Sequence, residues 1–161
     1  MQRVTLISVG KLGQAFLQQG CDEYTKRLSA LCKLQLVELQ EETVHEKAAS
    51  DKVIEKALEK EGVRILAAVP KGAALVALCI EGKLLGSEDL ATFFADSAVA
   101  GEGEIAFVIG SSHGLAPAVK AAATLRLSMS RMTFPHQLAR LLLLEQIYRA
   151  LSINAGSKYH K

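Results

Sequence analysis

Two stretches of this chain, Leu75-Val-Ala-Leu-Cys-Ile80 and Ile105-Ala-Phe-Val-Ile109, are apolar at every position. A strand with one wet face alternates polar and apolar residues. A strand without alternation needs cover on both faces, the pattern of a parallel sheet sandwiched by helices. The flanking segments agree. Arg3–Val9 is a β-rich run closed by Gly10, and Gln14–Leu31 carries Leu17, Cys21, Tyr24, Leu28 and Leu31 at the three-and-four spacing of an amphipathic helix. Leu34–Leu39 predicts a second strand and Gln40–Ala49 a polar, mobile loop. Ser50 or Asp51 can cap a helix whose Val53, Ile54, Ala57, Leu58, Ile65 and Leu66 share one side until Pro70-Lys71-Gly72 ends it. Glu81-Gly82-Lys83 predicts a turn out of the central strand, and Ser87 a cap for a helix over Glu88–Ala98. After the Ile105 strand come a glycine-flanked loop with a short helix, a strand at Leu125–Ser128, and a long apolar helix from Gln137 through Leu151. This β-α alternation, without repeat, low-complexity tract or linker, predicts one α/β domain over residues 1–161 with a largely parallel sheet flanked by helices. Ligands in such sheets bind at the carboxyl ends of the strands, here the loops after Ile80, Ile109 and Ser128.

The net charge of +2 is too small to announce a polyanion partner, but its distribution is uneven. From Leu125 onward six Lys/Arg face one acid, Glu145, whereas residues 1 to 124 carry 13 Lys/Arg against 16 Asp/Glu. A nucleic acid would prefer the C-terminal end. Cys21, Cys32 and Cys79 are far apart, with no C-x-x-C pair and no histidines at zinc spacing, which predicts buried, reduced thiols and no metal. The N-terminal apolar run is too short for a signal peptide. The longest apolar run, Leu138–Leu151, is interrupted by Arg140, Glu145 and Arg149, so no membrane span and a cytoplasmic location are expected. The apolar residues of that last helix point nearly all round, so one face can meet the sheet and the other asks for a second subunit.

Gly110-Ser-Ser-His-Gly114 satisfies the letters of a hydrolase nucleophile elbow, with Ser112 as nucleophile and Glu145 and His160 available to complete a triad. The chain is short for that fold, and the pattern is common by chance. The glycines could instead cradle a phosphate, but no Gly-Lys-Ser/Thr ending and no G-x-G-x-x-G follows any strand. A ribosome-binding module without chemistry is a third reading of the basic C-terminal end. His136, at the start of the long helix, serves equally as a cap or a substrate contact.

Met132-Thr-Phe-Pro-His-Gln137, Leu141-Leu-Leu-Leu-Glu-Gln-Ile-Tyr-Arg-Ala150 and the terminal Tyr159-His-Lys161, with the opening Val9-Gly10-Lys11 and the central Leu78-x-x-Glu-Gly-Lys83, carry a full-length resemblance. The chain closely resembles the RlmH-type methyltransferases of the SPOUT superfamily, which methylate N3 of a pseudouridine in 23S ribosomal RNA. The resemblance implies a C-terminal trefoil knot, a homodimer acting on the ribosome, and S-adenosylmethionine as methyl donor. It also implies a donor pocket made of Leu78, Gly110 and the loop Met129, Ser130, Arg131, Met132, Thr133 and Phe134. Backbone groups on closely approaching loops can read such a ligand, with apolar walls around its sulfonium. His136, Arg140, Tyr159 and His160 are the candidates for substrate contact or general base. Two positions depart from the family pattern: Ser111, where many relatives have a second glycine, and Cys79, where some have an acid.

Overall fold

The computed structural model describes all 161 residues. Its elements in chain order are β1 (Arg3–Val9), α1 (Ala15–Leu28), β2 (Lys33–Leu39), α2 (Asp51–Ala68), β3 (Ala74–Leu84), α3 (Ser87–Val99), β4 (Glu104–Ile109), α4 (Pro117–Ala122), β5 (Leu125–Ser128) and α5 (His136–Asn154). Every strand pair is parallel and the sheet order is β2-β1-β4-β3-β5. The two unalternating runs thus pair with each other in the interior of the sheet, where Ile105, Phe107, Val76 and Ala77 are completely buried.

Side chains of successive strand residues leave on opposite faces, so each inner strand feeds two cores. Val4, Leu6, Val76, Ile105 and Phe107 join residues of α1, α3 and α5 in the larger one. There Phe94 and Phe107 meet with ring centroids 5.8 Å apart. Ile7, Val9, Leu75, Ala77, Ala106 and Val108 meet Ile65 of α2 and Val119 of α4 in the smaller one. Each fully buried Leu, Ile or Phe contributes about 1.5–3 kcal/mol relative to exposure. The three-layer α/β arrangement follows from the sequence pattern.

Several local expectations change. α1 stops at Leu28, three residues before Leu31, and α5 runs past Leu151 to Asn154. Ser50 caps α2 by accepting from the N–H of Val53 at 3.2 Å. Ser87 is not the cap of α3. Gly86 occupies that position, its N–H held by Asp89 Oδ2 at 2.8 Å, while the Ser87 hydroxyl donates to Gln146 Oε1 at 2.7 Å. The loop after β2 is pinned at its start, because Arg64 donates to the carbonyl of Gln40 at 3.0 Å and pairs with Glu42.

Glu81-Gly82-Lys83 does not turn the chain out of the sheet. β3 continues through it with a bulge, so that Leu78 and Lys83 both stand opposite Leu127 of β5. A Cβ on Gly82 would lie 2.7 Å from the carbonyl carbon of Leu127, an approach only glycine permits. The bulge throws Cys79, Ile80 and Glu81 outward, toward the loops that follow β4 and β5.

In α5, Leu143, Leu144 and Ile147 are fully buried against the sheet within one chain. Leu141 presses on Gly20 of α1, where a Cβ would come within 2.9 Å of its methyl carbon. Leu142, Glu145, Gln146, Tyr148 and Arg149 remain half-exposed. No helix is long and apolar enough to cross a membrane.

Candidate functional site

An open cleft of about 740 Å³ lies where the chain leaves the carboxyl ends of β3, β4 and β5. These are the three loops singled out by strand order. The first wall is Leu78–Glu81 from the β3 bulge, the second Ile109–Leu115, and the third Leu127–Ser130 with Met132–His136. A narrower pocket of about 380 Å³ shares Leu127, Met129, Ser130 and Phe134 with it and extends between α3 and α5 to Leu90, Leu142 and Gln146.

The second wall is built by a tight turn. The N–H of Gly114 donates to the carbonyl of Ser111 at 2.9 Å, and the turn bends back so far that a Cβ on Gly110 would sit 2.2 Å from the Gly114 carbonyl oxygen. Gly114 itself has φ of +92°, a left-handed conformation that strains any side chain. Gly110 is therefore required by the fold of the turn, not only by room for a ligand. Under the turn, the Ser111 hydroxyl donates to the buried carboxylate of Glu61 at 2.9 Å.

The third wall is held from within. The Ser128 hydroxyl donates to the carbonyl of Ser130 at 3.0 Å, and the N–H of Met132 donates to the Ser130 hydroxyl at 2.9 Å. These bonds leave Phe134 half-buried against the cleft and Met132 exposed at its rim. Of the eight residues expected at the donor pocket, Leu78, Gly110, Met129, Ser130, Met132, Thr133 and Phe134 line this cleft; Arg131 belongs to the same loop and is exposed beside it. The size suits a small organic ligand, and the lining combines apolar side chains with loop backbone.

The four candidates for substrate contact separate. His136, the first residue of α5, makes no capping bond and lines the cleft, which favours a contact role over a cap. Arg140, one turn on, is 6% exposed and points elsewhere: it donates to Glu38 Oε2 at 2.7 Å and to the carbonyl of Gly10 at 3.0 Å. With Gln137, whose Oε1 accepts from the N–H of Gly13 at 2.9 Å, it fastens the β1–α1 loop to α5.

Tyr159 and His160 fold back on α5 instead of trailing free. The Tyr159 hydroxyl lies 3.1 Å from Glu145 Oε1 and 3.4 Å from the Tyr24 hydroxyl, and its ring meets Tyr148 edge-on at 4.7 Å. Burial, with the Tyr24 and Glu145 contacts, raises the Tyr159 phenol above the ordinary tyrosine range. The Arg149 guanidinium lies 4.8 Å from the Tyr159 ring centroid. His160 places Nδ1 3.1 Å from Arg149 Nη1 and Nε2 2.9 Å from Glu88 Oε1, and that contact lowers the Glu88 carboxyl.

With both His160 nitrogens so occupied and Glu145 committed to Arg149, Gln146 and Tyr159, no triad assembles around the exposed Ser112. The hydrolase reading fails on this geometry. Cys21 and Cys32 are buried, and burial pushes the Cys32 thiol up to about 11. Cys79, expected to be buried like the other two, is instead half-exposed because the β3 bulge carries it to the cleft, although partial burial still raises its thiol. No group of three or more His, Cys, Asp or Glu side chains is placed to hold a metal.

Sequence reasoning missed the ion pair of Lys120 with Glu81 at the cleft rim, which lowers the Glu81 carboxyl, and His113 in the second wall. It also missed Glu61. That residue was visible, because it falls on the stripe Leu58, Glu61, Gly62, Ile65, where a helix buries its face.

A family model described as "Predicted SPOUT methyltransferase" matches residues 2–160. The chain is 49% identical over 159 residues to "Ribosomal RNA large subunit methyltransferase H" of Clostridium novyi, covering 98% of this chain and 99% of that one. The protein of the same name from Clostridioides difficile is 48% identical over 158 residues, again with 98% and 99% covered. Among solved structures, a probable methylase family protein from Haemophilus influenzae superposes with a TM-score of 0.52 at 17% identity, covering 99% of this chain and 70% of that one. That likeness supports the fold alone.

Proposed function

Because the chain belongs to the SPOUT methyltransferase family, we propose that it methylates large-subunit ribosomal RNA, with N3 of a pseudouridine in 23S RNA as acceptor. One observation carries the reading: the three loops that should form a donor site, distant in sequence, converge on a single cleft with His136 at its edge. The relatives' names supply the RNA class. The proposal includes the trefoil knot of the family, with Met129–Phe134 as its loop, and a homodimer acting on the ribosome.

S-adenosylmethionine, when bound, would supply the methyl group on a sulfonium whose sulfur leaves as a neutral thioether. The residues that would hold it are Leu78, Gly110 and the loop Met129, Ser130, Arg131, Met132, Thr133 and Phe134. Loop backbone groups orient the polar parts and Leu78, Leu127 and Phe134 exclude water. Transfer forms an N3–carbon bond, breaks a carbon–sulfur bond and releases the N3 proton. The chain's own part is largely alignment of the two reacting atoms, together with removal of that proton. His136, at the edge of the cleft, is the side chain we assign to take it. Arg140 is engaged away from the cleft, fixing the β1–α1 loop against α5. The tail offers Lys158 and Lys161 to phosphates; Tyr159 and His160 could reach the RNA, in their own or the partner's site, only by leaving their contacts with Glu145, Tyr148, Arg149 and Glu88.

Titration calorimetry with S-adenosylmethionine tests the donor half of the reading. Saturable heat, unaffected by a chelator, is expected. No binding at millimolar donor overturns it.

A further inference from the structure

We propose that Glu61, in the middle of α2 and outside the cleft, is a positioning residue for the methyl-donor loop, acting through Ser111. The inference rests on the cleft being the donor site. Glu61 is 3% exposed, and its two carboxylate oxygens accept from the Ser111 hydroxyl and from the N–H of Glu42, each at 2.9 Å. A buried carboxylate is costly unless its lone pairs are engaged, and an aliphatic side chain at this point of the α2 stripe would fill the core without that cost. What the carboxylate does that an aliphatic residue cannot is hold two loops by directed bonds.

One of those loops is the second wall of the cleft. Ser111 is 5% exposed, directly follows Gly110, and supplies the carbonyl that closes the turn onto Gly114. Fixing Ser111 therefore fixes the turn that presents Gly110, Ser112 and His113 to the cleft. Its other end is fixed by α2 as well: a Cβ on Gly62 would come 3.0 Å from the Ala116 methyl, so the helix lies almost in backbone contact with the segment entering α4. The other loop is the start of the β2–α2 connection, where Arg64, one turn beyond Glu61, donates to the Gln40 carbonyl and pairs with Glu42. α2 and both loops thus form one block with the carboxylate at its centre. A glycine at position 111 would have no hydroxyl with which to join it.

The test compares Ser111→Ala, Glu61→Ala and Glu61→Gln with the unmodified protein, reading donor Kd by calorimetry, donor KM and kcat in methyl transfer, and melting temperature. Loss of one hydrogen bond to a charged acceptor is expected to raise donor Kd and KM about tenfold in Ser111→Ala, with kcat at saturating donor within about twofold. Glu61→Ala is expected to match or exceed this. Glu61→Gln should recover most of the affinity, since its amide can accept from the Glu42 N–H and donate to the Ser111 hydroxyl. A purely structural role would lower the melting temperature and the active fraction while leaving Kd and KM of the folded protein unchanged, and that result overturns the proposal. Should Glu61→Ala not fold, Ser111→Ala decides alone. Failure of the unmodified protein to bind donor removes the underlying reading of the cleft; normal binding there with unaltered Ser111→Ala affinity overturns the positioning role only.

Discussion

The Arg140 guanidinium meets the Glu38 carboxylate at 2.7 Å across 102 residues of sequence, and its second bond, to the Gly10 carbonyl, closes the ends of β1, β2 and α5 into one corner. Arg140 is nearly buried while Glu38 is 44% exposed, so the arginine is the partner whose loss exposes a cavity and an unsatisfied carbonyl. Arg140→Ala is expected to cost about 3 kcal/mol of stability in urea unfolding. Donor affinity of the folded fraction should change by no more than a few fold. A variant of normal stability whose methyl transfer is abolished would instead put the guanidinium at the reaction.

At the second wall, Gly110→Ala places a Cβ within 2.2 Å of the Gly114 carbonyl, so the turn must open. Donor binding is expected to fall at least 100-fold, on the order of 3 kcal/mol. Ser112→Ala, which removes an exposed hydroxyl without a partner, should leave methyl transfer within a few fold. Calorimetry and a transfer assay on the two variants check this pair. Labelling of Ser112 by a fluorophosphonate probe would revive hydrolase chemistry.

The C-terminal tail contributes to stability, because Tyr159 packs on Tyr148 and bonds Glu145 while His160 bridges α5 to Glu88 of α3. Deleting Lys158–Lys161 is expected to lower stability by about 1–2 kcal/mol. Donor affinity should stay near normal and methylation of ribosomes should be lost. Undiminished methylation would remove the tail from the site.

The chain has three tyrosines, and burial raises one of them, Tyr159, above the ordinary range. The folded state thus favours the protonated phenol. Its contribution to stability is complete below the unfolded tyrosine pKa and is lost as pH rises past it toward the folded value. Tyrosinate absorbance should show one phenol ionising well after the others, and Tyr159→Phe should abolish that late step. A Tyr159 titrating with the others would contradict the packing described. At neutral pH Tyr159 is a neutral hydrogen-bonding group, not a base.

Much of the fold was legible because periodicity reports burial: the unalternating strands pair inside the sheet and the α1 stripe faces it. Of the expected α2 stripe, however, only Ile65 is buried while Val53 and Leu66 are exposed, and Ile80 at the end of the apolar β3 run is 76% exposed. What sequence could not show were contacts set by tertiary approach. The β3 bulge is invisible because Glu81-Gly82-Lys83 has the letters of a turn, and only the nearness of β5 makes Gly82 a strand residue. For α5, an apolar surface all round says that both sides need cover; it does not say that Leu143 and Ile147 meet the sheet of their own chain. A cleft does lie at the three loops that strand order singles out. Arg140, by contrast, was a candidate for substrate contact because nothing local reveals its partner in β2.

Methyl transfer to ribosomes lacking the modification tests the central reading most directly. Purified protein, radiolabelled S-adenosylmethionine and such ribosomes are combined, and the label is mapped on the RNA. One methyl group on N3 of a single 23S pseudouridine, absent when His136 is replaced by alanine, is the expected result. No label on large-subunit RNA, at protein concentrations where donor binding is saturated, would contradict it.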